Sequence, residues 1–390
     1  LWYRDIAPLL QTMISSAKYP SDVLEAHMRF FKATVCTSFG PHPDVTAKKP
    51  FKSYMNDDHT PIELSWSWKK TLATSGEKVL PKVRYSVEPI GEHAGSKKDV
   101  WNQEAPERFL RGLKSSGEVD VDFKLYDYFR EAVLNFKAST TVDQSVTEAS
   151  SQFLAIELAA TGKMRTKAYF MPPGKGEAQF HTIVRAVEKY PETGSLLLKA
   201  LDLVKSAGPS QPGETAPMLA VDCIDPQEAR IKIYIRKNAT SVSSVIATLE
   251  TSGSKLGETQ RSLLRDIWRS VLSLDHTSIS ADTDELPLNT HNTAGMIYHF
   301  DLRLNSSAPK VKVYIPVKHY GKNDLEVARG LSGWLERNGM GLREGNYLDA
   351  VERMCVHRRL EAGRGFQTYV SVAFEGEDVG VTVYLQPEVY

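Results

Sequence analysis

Pairs of basic residues followed by a tyrosine recur at alternate positions along the chain, and basic groups at this spacing could together hold an anionic ligand. The clearest case is the stretch Arg230-Ile231-Lys232-Ile233-Tyr234-Ile235-Arg236. Side chains alternate between the two faces of a β-strand, so the basic residues and the tyrosine share one face and the isoleucines share the other. For one such strand alone, the simplest interpretation is an edge strand whose charged face meets water.

The same order returns in four other stretches, and this repetition argues against five unrelated solvated faces. Residues 82–86 carry two basic residues with serine in the third place, and Thr382-Val383-Tyr384 keeps only the tyrosine. The other two stretches are Arg165-Thr166-Lys167-Ala168-Tyr169 and Lys310-Val311-Lys312-Val313-Tyr314. Internal repeats of this kind indicate one shared surface built from a repeating structural unit.

Each stretch ends a predicted unit of two helices and two strands. In the first unit, amphipathic helices are predicted over residues 2–16 and 21–38, and strands over 62–68 and 82–88. The order recurs five times, which predicts an α/β protein of the α+β type, with one domain over residues 1–390. Ten sequential antiparallel strands can close into a β-barrel ringed by helices, and a barrel of more than eight strands has an interior too wide for side chains to fill. The aliphatic face then packs on the helices, and the face with basic residues and tyrosines lines a lumen for a ligand.

Composition indicates the setting of the protein and excludes several kinds of partner. The 390 residues include 48 basic and 48 acidic side chains, so the net charge of zero offers no overall attraction to nucleic acid or to an anionic membrane. We find no signal peptide and no apolar run near the ~18 residues that cross a bilayer. The three cysteines are far apart and lack metal-binding spacing, so we expect a reducing, cytoplasmic environment.

Three patterns that could bind a metal ion or a nucleotide are weak. The Gly/Pro/Ser-rich loop predicted over 208–217 has the glycine spacing of a P-loop, but Glu214 stands in the lysine position and no strand leads into it. Asp57-Asp58 lacks a cluster of further ligands and is more simply a turn or a helix N-cap. The ten histidines show no HExxH or HxH spacing. The sequence therefore predicts no metal and no cofactor.

A set of motifs spread over nearly the whole chain carries a family resemblance. It consists of Thr60-Pro61-Ile62-Glu63-Leu64-Ser65-Trp66, Val83-Arg84-Tyr85-Ser86, Val221-Asp222-Cys223-Ile224-Asp225-Pro226 with Arg230, Lys232 and Tyr234, and finally Val381-Thr382-Val383-Tyr384. In this order the motifs resemble those of the fungal aromatic (indole) prenyltransferases, the dimethylallyltryptophan synthase superfamily. The resemblance implies the ABBA fold, or PT barrel, in agreement with the five predicted repeats.

The implied activity is transfer of a prenyl group, usually dimethylallyl, from its diphosphate to an aromatic acceptor. The acceptor would be an indole-containing or phenolic secondary metabolite, as in alkaloid biosynthesis, and the reaction a Friedel-Crafts-type electrophilic substitution. Members of the family generally require no metal. The implied partners are therefore prenyl diphosphate and a small aromatic molecule, and the sequence leaves a homodimer open.

The resemblance also assigns roles to eleven residues. Fixed cations would neutralise the leaving diphosphate, tyrosine rings would shield the allyl cation, and Glu63 would bind the acceptor and assist its deprotonation. The implied diphosphate-binding residues are Arg84, Lys167, Arg230, Lys232 and Lys312, the last at a position where relatives often carry glutamine. The implied tyrosine shield consists of Tyr169, Tyr234, Tyr314, Tyr369 and Tyr384.

One departure from the family pattern concerns the acceptor. Tryptophan-prenylating relatives carry a lysine immediately before the Leu154-Ala155-Ile156-Glu157 stretch, where this chain has Phe153. Another base or water would then restore the aromatic ring, which favours a larger or non-amino-acid aromatic over free tryptophan. Met171, where some relatives have tyrosine, indicates a different prenyl pocket. Two further hypotheses are a non-catalytic barrel that binds a small hydrophobic or diphosphate ligand, and a protein scaffold without a deep lumen.

Overall fold

The strands form one closed antiparallel barrel in the computed structural model, which describes residues 1–45, 51–71, 79–134, 150–174, 176–253, 255–274 and 279–390. Each strand pairs with its neighbours in the chain, and the first strand pairs with the last. The strands are β1 (Ile62–Thr71), β2 (Lys82–Val87), β3 (Gln152–Leu158), β4 (Met164–Phe170), β5 (Thr215–Asp222), β6 (Ile231–Lys237), β7 (Met296–Leu302), β8 (Lys310–Ile315), β9 (Gln367–Glu375) and β10 (Asp378–Leu385).

Helices precede each hairpin and cover the outside of the barrel. They are α1 (Trp2–Ser16), α2 (Ser21–Phe30), α3 (Glu104–Ser116), α4 (Lys124–Leu134), α5 (Glu177–Glu188), α6 (Ser195–Ser206), α7 (Val242–Leu249), α8 (Glu258–Leu272), α9 (Val317–Tyr320), α10 (Asp324–Arg337) and α11 (Tyr347–Met354). After α2 the chain continues as a π-helical turn over Phe31–Val35 and a 3-10 turn over Cys36–Ser38. None of the described helices is both long and apolar enough to cross a membrane.

Strand β1 shows how the sequence sets the two faces of the barrel. Its outward residues, which include Trp66 and Trp68, are fully buried against helices. The Trp66 indole Nε1–H donates to the backbone carbonyl of Met13 at 3.2 Å, and its ring centroid lies 6.0 Å from that of Tyr347 in α11. Burying each large apolar side chain contributes about 1.5–3 kcal/mol, and a slip of one residue would turn this whole face inward. The alternation therefore fixes the register and keeps Glu63 on the inner face.

Helices α8 and α10 approach each other closely at a glycine. A Cβ atom built on Gly330 of α10 would lie 1.9 Å from the backbone oxygen of Ser270 in α8. No real carbon atom approaches an oxygen so closely, so the contact between the two helices requires a residue without a side chain.

The predicted architecture is confirmed, and the differences are local. Strand β5 begins at Thr215, so the end of the loop predicted over 208–217 is strand. The short helix α9, which directly follows β8, is absent from the prediction. The residues that connect the first two predicted strands lie outside the described residues over 72–78.

Candidate active site

The inner face of the barrel encloses two adjoining cavities that share a layer of tyrosines. One cavity, of about 430 Å³, is lined by basic residues and is called the cation chamber here. The other, of about 490 Å³, contains Glu63 and is called the Glu63 chamber. The residues that line both are Ser86, Tyr169, Tyr234, Tyr314 and Tyr384. All eleven residues predicted for the site line one or both chambers, and most of the large aliphatic residues of the same strands are buried on the outer face.

Asp222 joins two of the predicted cations at the base of β5 and β6. Its carboxylate accepts from Arg230 Nε at 2.6 Å and from Lys232 Nζ at 2.6 Å, and the Lys232 side chain is only 4% exposed. Burial alone would raise the pKa of Asp222, but the charges of Lys232 and Arg230 outweigh it and hold the pKa well below its usual range. Asp301 faces Arg230 at 3.6 Å from the other side. These carboxylates keep the buried cations in place when no anionic ligand is bound.

Glu157 plays the same part for the cations of β2 and β4. Its carboxylate lies 2.7 Å from Arg84 Nε and 3.3 Å from Lys167 Nζ. Burial opposes ionisation, but Arg84 and Lys167 together lower the pKa of Glu157 to about 2. Burial and the charge of Arg84 lower the pKa of Lys167 to about 7, and the same two causes lower that of Lys312 to about 7.

The cation chamber therefore carries an excess of positive charge. Five predicted cations face three carboxylates, which leaves two positive charges uncompensated among these residues. Lys312 donates to the Thr382 hydroxyl at 3.2 Å and is not paired with a carboxylate in this set. A diphosphate supplies both the missing negative charge and acceptor oxygens for guanidinium and ammonium groups.

The predicted tyrosine shield forms a continuous aromatic layer between the chambers. Tyr314 lies at its centre, with ring centroids 6.1 Å from Tyr234, 5.5 Å from Tyr384 and 6.2 Å from Tyr369. Tyr169 extends the layer through Tyr234 at 6.0 Å. The electron-rich ring faces suit a carbocation, and each cation–π contact contributes about 0.5–2 kcal/mol.

Glu63 projects from β1 into its chamber beside this layer. The Thr368 hydroxyl donates to Glu63 Oε1 at 2.7 Å, and the remaining exposure of the carboxyl group is to the lumen. Burial raises the pKa of Glu63 to about 7, although the Thr368 hydrogen bond and the Lys318 charge oppose the rise. A carboxylate with a pKa near neutrality suits a general base at physiological pH.

The far wall of the Glu63 chamber combines apolar side chains with two cations. Phe153 lies in this wall, where tryptophan-prenylating relatives would carry a lysine. Arg236 donates to the backbone carbonyls of Thr293 and Ala294, and its side chain is nearly buried. Lys318 pairs with Asp57 at 2.7 Å and lies 5.3 Å from the Tyr369 ring centroid. The chamber can therefore hold an aromatic ring near Glu63 and an anionic group near the cations.

A possible set of metal ligands lies at the rim of this chamber. Ligand atoms of Asp57, His291 and His319 lie within 4.8 Å of one another. Asp57 is held by Lys318, however, and both imidazoles are hydrogen-bonded to the Thr293 hydroxyl, at 2.8 Å and 2.7 Å. A metal could bind here only after Asp57 had released the Lys318 ammonium group.

Sequence reasoning missed the partners of the predicted residues. Two groups of residues were missed: the carboxylates that pair with the predicted cations, and the two cations of the Glu63 chamber. They lie on strands or helices whose relative positions are known only from the fold. The sequence could have predicted Arg236 as a lumen residue, because it shares a strand face with Arg230, Lys232 and Tyr234. Asp222 also stands within a quoted motif. The missed residues that line the chambers are His299, Asp301, Arg236 and Lys318. Glu157 and Asp222, also missed, form ion pairs with lining cations.

Comparisons with known proteins identify the family of this chain. Residues 1–350 match the family model described as tryptophan dimethylallyltransferase. The 4-O-dimethylallyl-L-tyrosine synthase of Claviceps purpurea is 34% identical, with 100% of this chain and 88% of the relative covered. The 7-dimethylallyltryptophan synthase of Aspergillus fumigatus is 28% identical, with 100% and 85% covered.

Solved structures share the barrel at lower identity. AnaPT from Neosartorya fischeri superimposes with a TM-score of 0.75 at 20% identity, with 98% of this chain and 92% of that chain covered. NotF, solved in complex with brevianamide F and DMSPP, gives a TM-score of 0.76 at 18% identity, with 99% and 94% covered.

These matches decide between the hypotheses drawn from the sequence. The barrel encloses a lumen made of two cavities, which contradicts the scaffold hypothesis. The relatives bear the names of transferases and synthases, which supports catalysis and not the non-catalytic barrel. Because the family model matches most of its length and one full-length relative is 34% identical, the chain belongs to the tryptophan dimethylallyltransferase family and is an aromatic prenyltransferase.

Proposed function

We propose that the enzyme transfers a dimethylallyl group from its diphosphate to the phenolic oxygen of an aromatic amino acid such as L-tyrosine, without a metal ion. We further propose that residues 1–390 form one catalytic domain, since all ten strands belong to one barrel. The observation that carries the proposal is the position of Glu63, which lies beside the tyrosine layer in a chamber with two cations and has a pKa of about 7.

The cation chamber supports metal-free ionisation of the donor. The bond between the allyl carbon and the diphosphate oxygen breaks, and its electron pair leaves with the diphosphate. Arg84, Lys167, Arg230, Lys232 and Lys312 supply the positive charge that a metal would otherwise supply. The tyrosine layer lies next to this chamber, so the allyl cation forms against ring faces and away from bulk water.

Oxygen attack fits the presence of Phe153 at the position where tryptophan-prenylating relatives carry a lysine. Attack by a ring carbon produces a protonated ring, and a base must then remove a proton from that carbon. Attack by a phenol oxygen forms the new carbon–oxygen bond, and the only proton to be removed is that of the hydroxyl group. Glu63 can accept this proton, so the reaction needs no base at Phe153.

The cations of the Glu63 chamber favour an acceptor with a carboxylate. Arg236 and Lys318 lie in the wall of the same chamber as Glu63, and a guanidinium or ammonium group binds a carboxylate strongly in a nearly buried site. This revises the preference for a non-amino-acid acceptor that Phe153 alone indicated. The relative named as a tyrosine O-prenylating synthase is consistent with the revision.

Competition between acceptors tests the proposal. The purified enzyme is incubated in EDTA with dimethylallyl diphosphate and equal amounts of L-tyrosine, L-tryptophan and tyramine, and products are identified by mass spectrometry and NMR. We expect an O-prenylated tyrosine as the main product, with tyramine poorer because it lacks the carboxylate. A main product prenylated on carbon, or loss of turnover in EDTA that Mg²⁺ restores, would contradict the proposal.

A further inference from the structure

The imidazole ring of His299 packs against the tyrosine layer, and the sequence analysis did not predict this residue as part of the site. It lies on the inner face of β7, is 8% exposed and lines the cation chamber. Its Nδ1 atom lies 2.9 Å from the hydroxyl oxygen of Tyr314. Its ring also packs edge-on against Tyr234, with centroids 5.3 Å apart. The imidazole therefore contacts the central ring of the layer from the diphosphate side.

The surrounding groups determine which atom donates in this hydrogen bond. The Tyr384 hydroxyl donates to the Tyr314 oxygen at 3.4 Å, so the proton of Tyr314 must point elsewhere. The Nε2 atom of His299 faces the Asp301 carboxylate at 3.7 Å, which favours a hydrogen on Nε2 and a lone pair on Nδ1. Tyr314 therefore donates to His299 Nδ1.

The imidazole is neutral in this position. Burial lowers the pKa of His299 to about 3, against the opposing effect of Asp301, and the nearby Lys312, Lys232 and Arg230 charges act in the same direction as burial. A neutral acceptor suits a layer that must accommodate a carbocation. A protonated imidazole would repel the allyl cation, and a carboxylate at this place would compete with the diphosphate for the surrounding cations.

Holding the hydroxyl fixes the orientation of the whole ring. Tyr314 contacts three other tyrosines of the layer, and Lys312 lies 5.8 Å from its ring centroid. A rotation of this one ring would expose the allyl fragment on one side and open a gap in the layer. The Tyr314 hydroxyl donates to His299 and accepts from Tyr384, and of these two hydrogen bonds the one to His299 is the shorter. This bond therefore holds the ring that contacts three of the other four tyrosines of the shield.

We propose that His299 is a positioning residue for prenyl transfer, which holds Tyr314 so that the allyl cation is captured by the acceptor and not by water. This role goes beyond the proposed function, since it applies to any acceptor that the enzyme prenylates. The competing reaction is hydrolysis, in which a water oxygen bonds to the allyl carbon, the diphosphate leaves with its electron pair and the water proton goes to solvent.

The test measures how the donor is partitioned between prenylated acceptor and dimethylallyl alcohol. We expect His299→Phe to raise the ratio of alcohol to prenylated product about fivefold, the equivalent of one lost hydrogen bond, with little change in the KM for the donor. His299→Asn should restore most of the wild-type ratio, because the asparagine amide oxygen can occupy the place of Nδ1. Tyr298→Phe is the matched control, since Tyr298 is buried on the outer face of the same strand and should leave the ratio unchanged.

A double-mutant cycle separates positioning from a structural role. Tyr314→Phe removes the same hydrogen bond from the other side, so the double variant with His299→Phe should partition no worse than either single variant. The proposal would be overturned if the effects of the two substitutions on the ratio of alcohol to prenylated product were additive. It would also be overturned if turnover and thermal stability fell while this ratio stayed unchanged. Alcohol release is also measured with the donor alone, so failure of a particular acceptor does not affect the outcome.

Discussion

Replacing Glu63 by glutamine removes the proposed base while preserving its shape. The glutamine oxygen can still accept the hydrogen bond from the Thr368 hydroxyl, now 2.7 Å from Glu63 Oε1. Positioned general bases contribute roughly 10²–10⁴-fold to rate, so we expect kcat/KM for the acceptor to fall at least about a hundredfold. The KM for the donor should change little, because Glu63 lies on the opposite side of the tyrosine layer from the cation chamber.

The pH dependence gives a second, independent measure of the same group. Only the ionised carboxylate accepts a proton, so kcat/KM of the wild-type enzyme should rise with pH up to about 7, the pKa of Glu63. The variant should lack this limb. Rates are measured between pH 5 and 9 with saturating donor. Two results would refute the role of Glu63 as base: a wild-type rate in Glu63→Gln at pH 7.5, or the same rise of kcat/KM with pH in the variant as in the wild type.

The raised pKa of Glu63 also predicts an effect on stability: the ionised carboxylate serves catalysis, whereas the protonated carboxyl group stabilises the fold. The carboxyl pKa is 4.5 in the unfolded chain and about 7 in the folded protein, so the folded state retains the proton more strongly. Its contribution of about 3 kcal/mol is complete below pH 4.5 and is lost as the pH rises through 7. Glu63→Gln should therefore gain stability relative to wild type between pH 5 and 8 in urea unfolding. Glu88→Gln is the control, since Glu88 has a pKa of about 7 but does not line either chamber, and its variant should keep its turnover.

Three further predictions concern the cations and the helical layer. Asp222→Ala should lower the free energy of unfolding by about 3 kcal/mol, because it removes the carboxylate that pairs with the buried Lys232 and the partly exposed Arg230. Added pyrophosphate should raise the Tm of this variant more than that of wild type. Affinity for pyrophosphate, measured by calorimetry, should fall as the pH rises past about 7, since Lys167 and Lys312 lose their protons there, and Lys312→Met should weaken this dependence. Gly330→Ala should lower the Tm without changing the donor KM, because its Cβ would collide with the backbone oxygen of Ser270; an unchanged Tm would contradict the close helix contact.

The repeated inner face could be predicted from the sequence because strand periodicity records it directly. The alternation around Tyr234 and Tyr314 assigns each side chain to a face without knowledge of its neighbours, and the structure places these residues in the lumen as predicted. The charge partners could not be predicted in this way. Glu157 is far from Arg84 in sequence and becomes its partner only because β2 pairs with β3. His299 carries no pattern at all, since its role depends on a diagonal contact between β7 and β8.

Carboxylates inside the proposed diphosphate site would seem to oppose binding of an anion, but the surrounding charges explain their presence. Burial and the charge of Arg230 lower the pKa of Lys232, and the charge of Asp222 opposes this shift. The carboxylate also aligns the ammonium group through a hydrogen bond of 2.6 Å. It also competes with pyrophosphate for the same hydrogen bonds, so the leaving group is stabilised during ionisation and can still be released afterwards. The unpaired excess of two charges is then the part of the site that selects an anion, and the ion pairs are the part that limits how tightly the product is held.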